Sequence, residues 1–411
     1  MAVENKPKPK PRIVPDVLIS GPRLDMDALR TMARNEPAAF AAKVQGLIDG
    51  GMRWSDVRDL RHLYRSLRDV QIEVLVNDAG DQRAVMASAF PLLSGGLTVA
   101  GLNDAYDAIP TIGQELVSEL EDPKVSTTLA AVHTLDVGKD RVNESEDFPE
   151  IGASEEKYTI GQKRNGRRLS ITMEAIEEND VPGISEKVNA LGEIASDFVE
   201  EQTLSRVCDL HGSASSPAEP YVMHRNGAAA SLYSSTANTP SARTPSGTRV
   251  TNNALADVTN LDAARTVLAA MKNERGKRIA IPISRCKLLV PDALAGTAGQ
   301  ILRSEMVSGV VNEVSAWGPR GDYRPRLLSS PKMDDLSTSA WYLGWFEKQF
   351  VRKWKLRMEY MTLTGDTESK LRSRIAAQFR VAWNCEIGAR DHVYVVQCLS
   401  GTTAPTATNV P

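Results

Sequence analysis

Four carboxylates stand close together at Glu174, Glu177, Glu178 and Asp180, and such a cluster suggests either a cation site or a pair of carboxyls sharing acid and base roles. Calcium loops place oxygen ligands at closely alternating positions around a glycine turn, and this run does not. A helical pattern follows directly, and negative charge at a helix N-terminus gains a few tenths to about 1 kcal/mol from the helix dipole. Stabilising a helix start is the role the spacing favours. Nucleophilic catalysis needs Ser or Cys beside a base and an orienting acid. His62, His133, His211, His224 and His392 lie in no recognisable motif, and the strained Gly-x-Ser-x-Gly turn is missing. Cys208, Cys286, Cys385 and Cys398 are widely separated, without metal-ligand spacing. They read as buried or incidental thiols in a reducing compartment. No glycine-rich phosphate loop ending in Lys and Ser/Thr occurs. No catalytic residue, cofactor or metal is expected.

Charge is concentrated elsewhere. Glu144, Glu146, Asp147 and Glu150 form an acidic stretch, and Arg164, Arg167 and Arg168 a basic one shortly after it. Lys6, Lys8, Lys10 and Arg12 alternate with prolines, and no apolar segment follows, so this is not a secretory signal. The 411 residues carry a formal net charge of −3, which gives no bulk attraction to nucleic acid or anionic membrane. No run approaches the length needed to span a bilayer. So long a chain predicts two or three lobes.

The elements that must position these charges are legible from periodicity. Tyr158 and Ile160, then Leu169, Ile171 and Met173, alternate with polar neighbours as half-exposed strands do. From Pro182 the spacing becomes helical through Ile184, Val188, Leu191, Ile194, Ala195, Phe198 and Val199, with Gly212 as the stop. Residues 1–22, rich in Pro and Lys, are not expected to pack alone. Trp54, Val57, Leu60, Tyr64, Leu67 and Gln71 predict a helix bearing Arg58, Arg61, Arg65 and Arg68 on its other positions. Asn77 to Gly96 reads as turn-rich, and Leu102 to Leu120 as an arm with a helix in its second half. Val125 to Val137 reads as a strand. Ser213 to Ser246 reads as a long surface loop. Leu261 to Met271 predicts a helix with Gly276 as its cap, Ile279 to Val290 a strand, and Asp292 to Arg303 a second helix. Ile375, Ala377, Phe379, Val381, Trp383, Cys385 and Ile387 define one face of a long strand, with which Val393, Val395 and Leu399 are expected to pair antiparallel.

At Phe148-Pro149-Glu150, Lys157 to Met173 and Asn179-Asp180 the chain resembles the major capsid proteins of tailed bacteriophages, the Hong Kong 97 fold, and within them the Mu-like branch. Lys287-Leu288-Leu289-Val290-Pro291 with Leu294 and Ile301 to Ser304, and later Ser339 to Leu343, continue the resemblance, which covers roughly Phe90 to Leu399. It implies an α+β fold: an N-terminal arm (86–124), an extended β-hairpin loop (125–174), a peripheral domain with a long spine helix (175–260), an axial domain (261–350) and closing strands of both domains (351–411). Residues 1–85 fall outside it, either a small helical lobe with a solvated arginine face or a scaffold-like segment. Asn165-Gly166 alone signals a type I′ hairpin. The resemblance instead makes Glu156 to Met173 one long returning strand with that pair as a bulge, and this is the reading adopted.

The resemblance implies a structural, non-enzymatic protein that assembles with itself into pentamers and hexamers of an icosahedral head enclosing double-stranded DNA. It would be made in the host bacterial cytoplasm, with scaffold, portal and decoration proteins as partners and no membrane. Glu144, Glu146, Asp147, Glu150, Arg164, Arg167 and Arg168 are then candidate contacts between subunits. Lys6, Lys8, Lys10 and Arg12 are candidates for nonspecific contact with packaged DNA or with a scaffold. Some members of the fold join subunits through lysine–asparagine isopeptide bonds. Lys139, Lys157 and Lys163 lie on the loop, but that chemistry is not assigned to them. Two alternatives stand beside the phage head: an encapsulin-like compartment carrying cargo proteins, and a hydrolase such as a maturation protease.

Overall fold

The computed structural model describes residues 35–49, 53, 57, 63, 67, 71–78, 81–109, 111–124, 126–130, 157–161, 164–209, 222–225, 228–234, 243–273, 276–303, 317, 324–362 and 375–402. The chain is α+β and forms two compact units: residues 1–110, 165–197 and 358–383, and residues 111–164, 198–357 and 384–411. The long helix Val181–Cys208 and the strands Phe350–Thr362 and Ile375–Ala389 contribute residues to both.

In the first unit, strands Gln71–Asp78 and Asp81–Ser88 pair antiparallel, with Gln71 opposite Ser88, and lead into the helix Ala89–Ala108. The strand Asp81–Ser88 and most of that helix fall where the sequence predicts turns and arm, and Gln71 opens a strand rather than ending a helix. The Ser-Gly-Gly at 94–96 that reads as a turn belongs to the helix, and Pro91 sits in its first turn, where a missing N–H costs nothing. Small residues serve close packing here. A Cβ added at Gly192 of the long helix would lie 2.7 Å from both the Leu102 carbonyl and the Ala105 Cβ, and one at Gly101 would lie 3.1 Å from Val188 Cγ1. Gly192→Ala is therefore expected to cost about 1–3 kcal/mol, the usual range for overpacking, read as a lower melting temperature of the unassembled chain. An unchanged melting temperature would contradict this packing.

The long helix starts as its sequence predicts. Asp180 caps it, with Oδ1 accepting the Gly183 N–H at 3.0 Å, and Ile184, Val188, Leu191, Ala195 and Val199 are buried. Ile194 departs from the predicted stripe and is 49% exposed. At about 100° per residue it falls nearly a quarter turn from the stripe's centre. The helix ends at Cys208, before Gly212, because Asp209 turns into left-handed backbone with φ 39°.

The predicted returning strand is divided. Lys157–Gly161 pairs antiparallel with Ser126–Ala130 in the second unit, whereas Asn165–Thr172 pairs antiparallel with residues 375–383 in the first. Asn165-Gly166 forms neither a hairpin turn nor a bulge, and the register shift lies on the partner strand between Ile375 and Ala377. Glycine is required at 166 by contact, since a Cβ there would approach the Val381 carbonyl to 2.7 Å.

The second unit is built on a five-stranded mixed sheet ordered Arg326–Ser330, Lys287–Pro291, Trp341–Gly344, Val395–Cys398 and Arg249–Val250. Alternate residues enter two separate cores. Leu288, Val290, Trp341, Leu343, Val396 and Cys398 face one that includes Leu261, Leu268, Ile301 and Leu302 from the helices Val258–Ala269 and Asp292–Arg303. Leu289, Tyr342 and Val395 face the other, with Leu204, Val207, Phe346 and Phe350. Burial on both faces explains why these strands read as continuous apolar runs. It also explains a mispairing in the sequence reading: Val395–Cys398 lies between Trp341–Gly344 and Arg249–Val250, an interior position suited to its apolar run.

Three further expectations are corrected. The predicted strand Ile279 to Val290 is reduced to Lys287–Pro291 after a single 3-10 turn at Ile283–Arg285. Gly276, φ 76°, serves a turn bridged by Lys272 and Arg278 and does not cap the helix, which ends at Ala269. The Ser213 to Ser246 stretch contains the paired strands Val222–Arg225 and Ala228–Ser231, and Leu232, Tyr233, Arg243 and Thr244 are buried. Its anchors include polar groups, which hydrophobic periodicity does not register.

Candidate functional site

The basic strand Asn165–Thr172 is held by its apolar side. Leu169 lies opposite Phe379 and Ile171 opposite Ala377, and all four are buried. Because side chains alternate along a strand, Arg168, Ser170 and their partners Arg380 and Gln378 share the other face, where Gln378 Nε2 donates to Ser170 Oγ at 3.3 Å. Arg168 stands directly opposite Arg380, and both are exposed, as is Arg167. Like charges directly opposite destabilise a strand pair. Arg380 is the residue that sequence reading missed; it reads only as polar alternation until register sets it beside Arg168. Arg164 is exposed and belongs to the second unit. Glu144, Glu146, Asp147 and Glu150, and Lys6, Lys8, Lys10 and Arg12, lie outside the described residues.

The second unit carries its own surface charges on the strand Ser118–Glu121, which runs parallel to residues 351–354. Arg357 bridges two carboxylates there, Nη2 to Glu119 Oε2 at 2.6 Å and Nε to Glu121 Oε1 at 2.7 Å, with its guanidinium 5.9 Å from the Trp354 ring centroid. Exposed pairs of this kind contribute about 0–1 kcal/mol each. Inside, Glu200 accepts the backbone N–H groups of Gly113 at 2.9 Å and Ile112 at 3.2 Å, while Arg352 Nη2 donates to Thr203 Oγ1 at 2.7 Å. Burial raises the Glu200 carboxyl, and those two backbone hydrogen bonds oppose the rise.

The carboxylate run does the work of helix ends. Asp180 caps the long helix, and Glu174 and Glu177 belong to the short helix Met173–Glu177, which Thr172 caps by accepting the Ala175 N–H at 3.2 Å. Among the described residues no group of His, Cys, Asp and Glu could hold a metal ion. All four cysteines are buried free thiols; burial pushes Cys208, Cys286 and Cys385 up to about 12, and Cys398 higher still. His392 Nδ1 lies 3.2 Å from Asp391 Oδ1, and Asp391 is bound bidentately by Arg243, at 3.2 and 2.9 Å. These side chains are sealed from solvent, so a substrate has no access to them. Burial works to raise the Asp391 carboxyl, but the hydrogen bond with His392 and the charge of Arg243 outweigh it and hold it well below the usual carboxylate range. The cluster ties the segment at 243 to the turn before Val393 through Asp391, and the Lys272 N–H donates to the Arg243 carbonyl at 2.8 Å, tying the same segment to the residues after helix Val258–Ala269.

The family model for phage capsid protein matches residues 155–395, more than half of the chain. The chain belongs to the phage capsid protein family. It is a structural major capsid protein of the virion shell and not an enzyme, which sets aside the hydrolase reading and disfavours the cargo compartment. No curated protein matches the sequence. Solved structures that it resembles include the capsid of the empty GTA particle, at 11% identity and TM-score 0.45 over 72% of this chain and 92% of that one. Another is Mycobacterium phage Patience, at 11% identity and TM-score 0.43 over 76% and 88%. A third is the virus-like particle from Pyrococcus furiosus, at 6% identity and TM-score 0.41 over 73% and 97%.

Proposed function

We propose that copies of this chain close as pentamers and hexamers into an icosahedral head of the Mu-like branch around double-stranded DNA. The observation that carries the contact is the exposed arginines of this strand pair: Arg168 and Arg380 stand opposite each other on one face, and Arg167, on the face of Leu169, is exposed as well. The same chain supplies the opposite sign in Glu144, Glu146, Asp147 and Glu150. A loop bearing one sign and a strand bearing the other join neighbouring copies through ion pairs and hydrogen bonds. Each exposed pair is worth only about 0–1 kcal/mol; a closed shell repeats it in every subunit, and weak contacts let errors dissociate. The same surfaces reused around rotation axes give rings that close.

In this reading residues 86–124 are the arm, 125–174 the extended loop, 175–260 the peripheral domain, 261–350 the axial domain and 351–411 the closing strands, while 1–85 is an extension. Assembly takes place in the host cytoplasm with scaffold and portal proteins, and decoration proteins can bind outside. Lys6, Lys8, Lys10 and Arg12 attract packaged DNA without sequence preference, a contact that salt weakens. The experiment is a charge reversal. Arg167→Glu with Arg168→Glu is expected to leave the subunit folded by circular dichroism and to abolish particles in negative-stain micrographs. Reversing Glu144, Glu146, Asp147 and Glu150 to lysine in the same chain should restore them. Particles of normal yield from the arginine reversal alone would remove the contact from the assembly.

A further inference from the structure

The long helix Val181–Cys208 ends in the second unit on polar groups that shell contact does not use. Its last two carbonyls are taken by buried side chains. The Tyr233 hydroxyl donates to the Val207 carbonyl at 2.9 Å, and the Tyr342 hydroxyl and Gln397 amide donate to the Cys208 carbonyl at 2.9 and 3.1 Å. Arg249 holds Gln397 in turn, Nε to Oε1 at 2.6 Å. Arg249, Gln397 and Tyr342 thus form one string of donors ending on the helix terminus.

Asp209 follows immediately, 1% exposed. An ionised carboxylate is disfavoured there twice over: burial strips its water, and the C-terminal end of a helix already presents partial negative charge. Burial pushes the carboxyl up to about 7, and the Leu232 backbone N–H and the charges of Arg249 and Arg206 only partly offset it. No described side chain hydrogen-bonds either Asp209 oxygen, and Arg249 Nη2 is buried with no hydrogen-bond partner among the described residues. The other titratable groups of the cluster are Cys208 and Arg206 on the helix itself, Tyr233 after strand Ala228–Ser231, Arg249 on its strand and Tyr342 on strand Trp341–Gly344. Burial holds the thiol and both hydroxyls protonated far above neutral pH. Asp209 is the member of this set that changes charge near neutrality.

We propose that Asp209 and Arg249 form a proton-controlled latch on the end of the long helix. With Asp209 neutral, Arg249 stays on Gln397 and the string holds the Cys208 carbonyl. When the carboxyl releases its proton, the buried anion draws the Arg249 guanidinium, whose Nη2 has no hydrogen-bond partner among the described residues, and that shift breaks the Nε bond to Gln397. Gln397 loses its anchor, and the helix end is held less firmly. The sign follows from the raised acid: the stabilisation is complete below the ordinary carboxylate value of about 4 and is lost as pH rises through about 7.

Hydrogen exchange on the full chain between pH 5.5 and 8.5, corrected for intrinsic rates, tests the latch. Protection at residues 204–209 and 395–398 is expected to fall by up to about tenfold per pH unit from pH 5.5 and to level off above about 7. Asp209→Asn should keep the low-pH level throughout. Arg249→Gln, which removes the offsetting charge, should move the inflection upward. A flat profile in the wild-type chain overturns the proposal without any variant, and an unchanged inflection in Asp209→Asn overturns the assignment to this carboxyl.

Discussion

Replacing Asp391 with alanine is expected to lower the unfolding free energy by about 3–5 kcal/mol, the cost of breaking a buried ion pair from one side. The Arg243 guanidinium, with no side-chain exposure, would keep its charge and lose both carboxylate oxygens at once. The pair itself is not the source of a large net gain. Its desolvation offsets much of its attraction, so replacing both partners by apolar residues, Arg243→Met with Asp391→Leu, should recover most of the loss. Urea titration of the unassembled subunit reads both effects as midpoint shifts. A loss below about 1 kcal/mol in Asp391→Ala, the level of an exposed pair, would mean that water reaches Arg243 and that the seal described above is wrong. Because the folded carboxyl is held low, the stability it contributes is present above the ordinary carboxylate range and is lost only as the pH falls well below it.

Trp341→Ala is expected to cost a similar amount, about 3–5 kcal/mol, by the cavity it opens. Its ring is fully buried in the core beneath the five-stranded sheet, and its Nε1 donates to the Asn253 carbonyl at 2.9 Å. Truncation would leave that carbonyl without this donor as well. Trp341→Phe separates the two losses: it keeps most of the apolar volume and loses the hydrogen bond, so its cost should be nearer 1 kcal/mol plus residual packing. Equal midpoints for the alanine and phenylalanine variants would show that the ring does not fill the space.

The residues that sequence reading placed well are those whose periodicity reports burial directly. Alternation at Ala377, Phe379, Val381, Trp383, Cys385 and Ile387 gives a strand face, and all six are buried. Asp292–Arg303 emerges with the predicted bounds because an acidic first turn and a basic last turn mark its ends. Where one residue type serves two purposes, local reading failed. Gly95-Gly96 and Asn165-Gly166 carry turn signals, yet the first pair lies in a helix and the second opens a strand that passes under a neighbouring carbonyl. Nothing within either segment tells close approach from turning, since both ask only for a missing side chain.

The sequence by itself determined an α+β chain with a long capped helix, two blocks of opposite charge and no motif of catalysis, because period, capping and charge are properties of neighbouring residues. Only the tertiary structure decided which strands are partners, that Arg380 stands across from Arg168, that Arg243 reaches Asp391, and that Asp209 is sealed at a helix end beside Arg249. Those pairs are joined by folding across long stretches of chain, and the energies that matter in them, desolvation and Coulomb attraction, depend on distances in space that spacing along the chain does not encode.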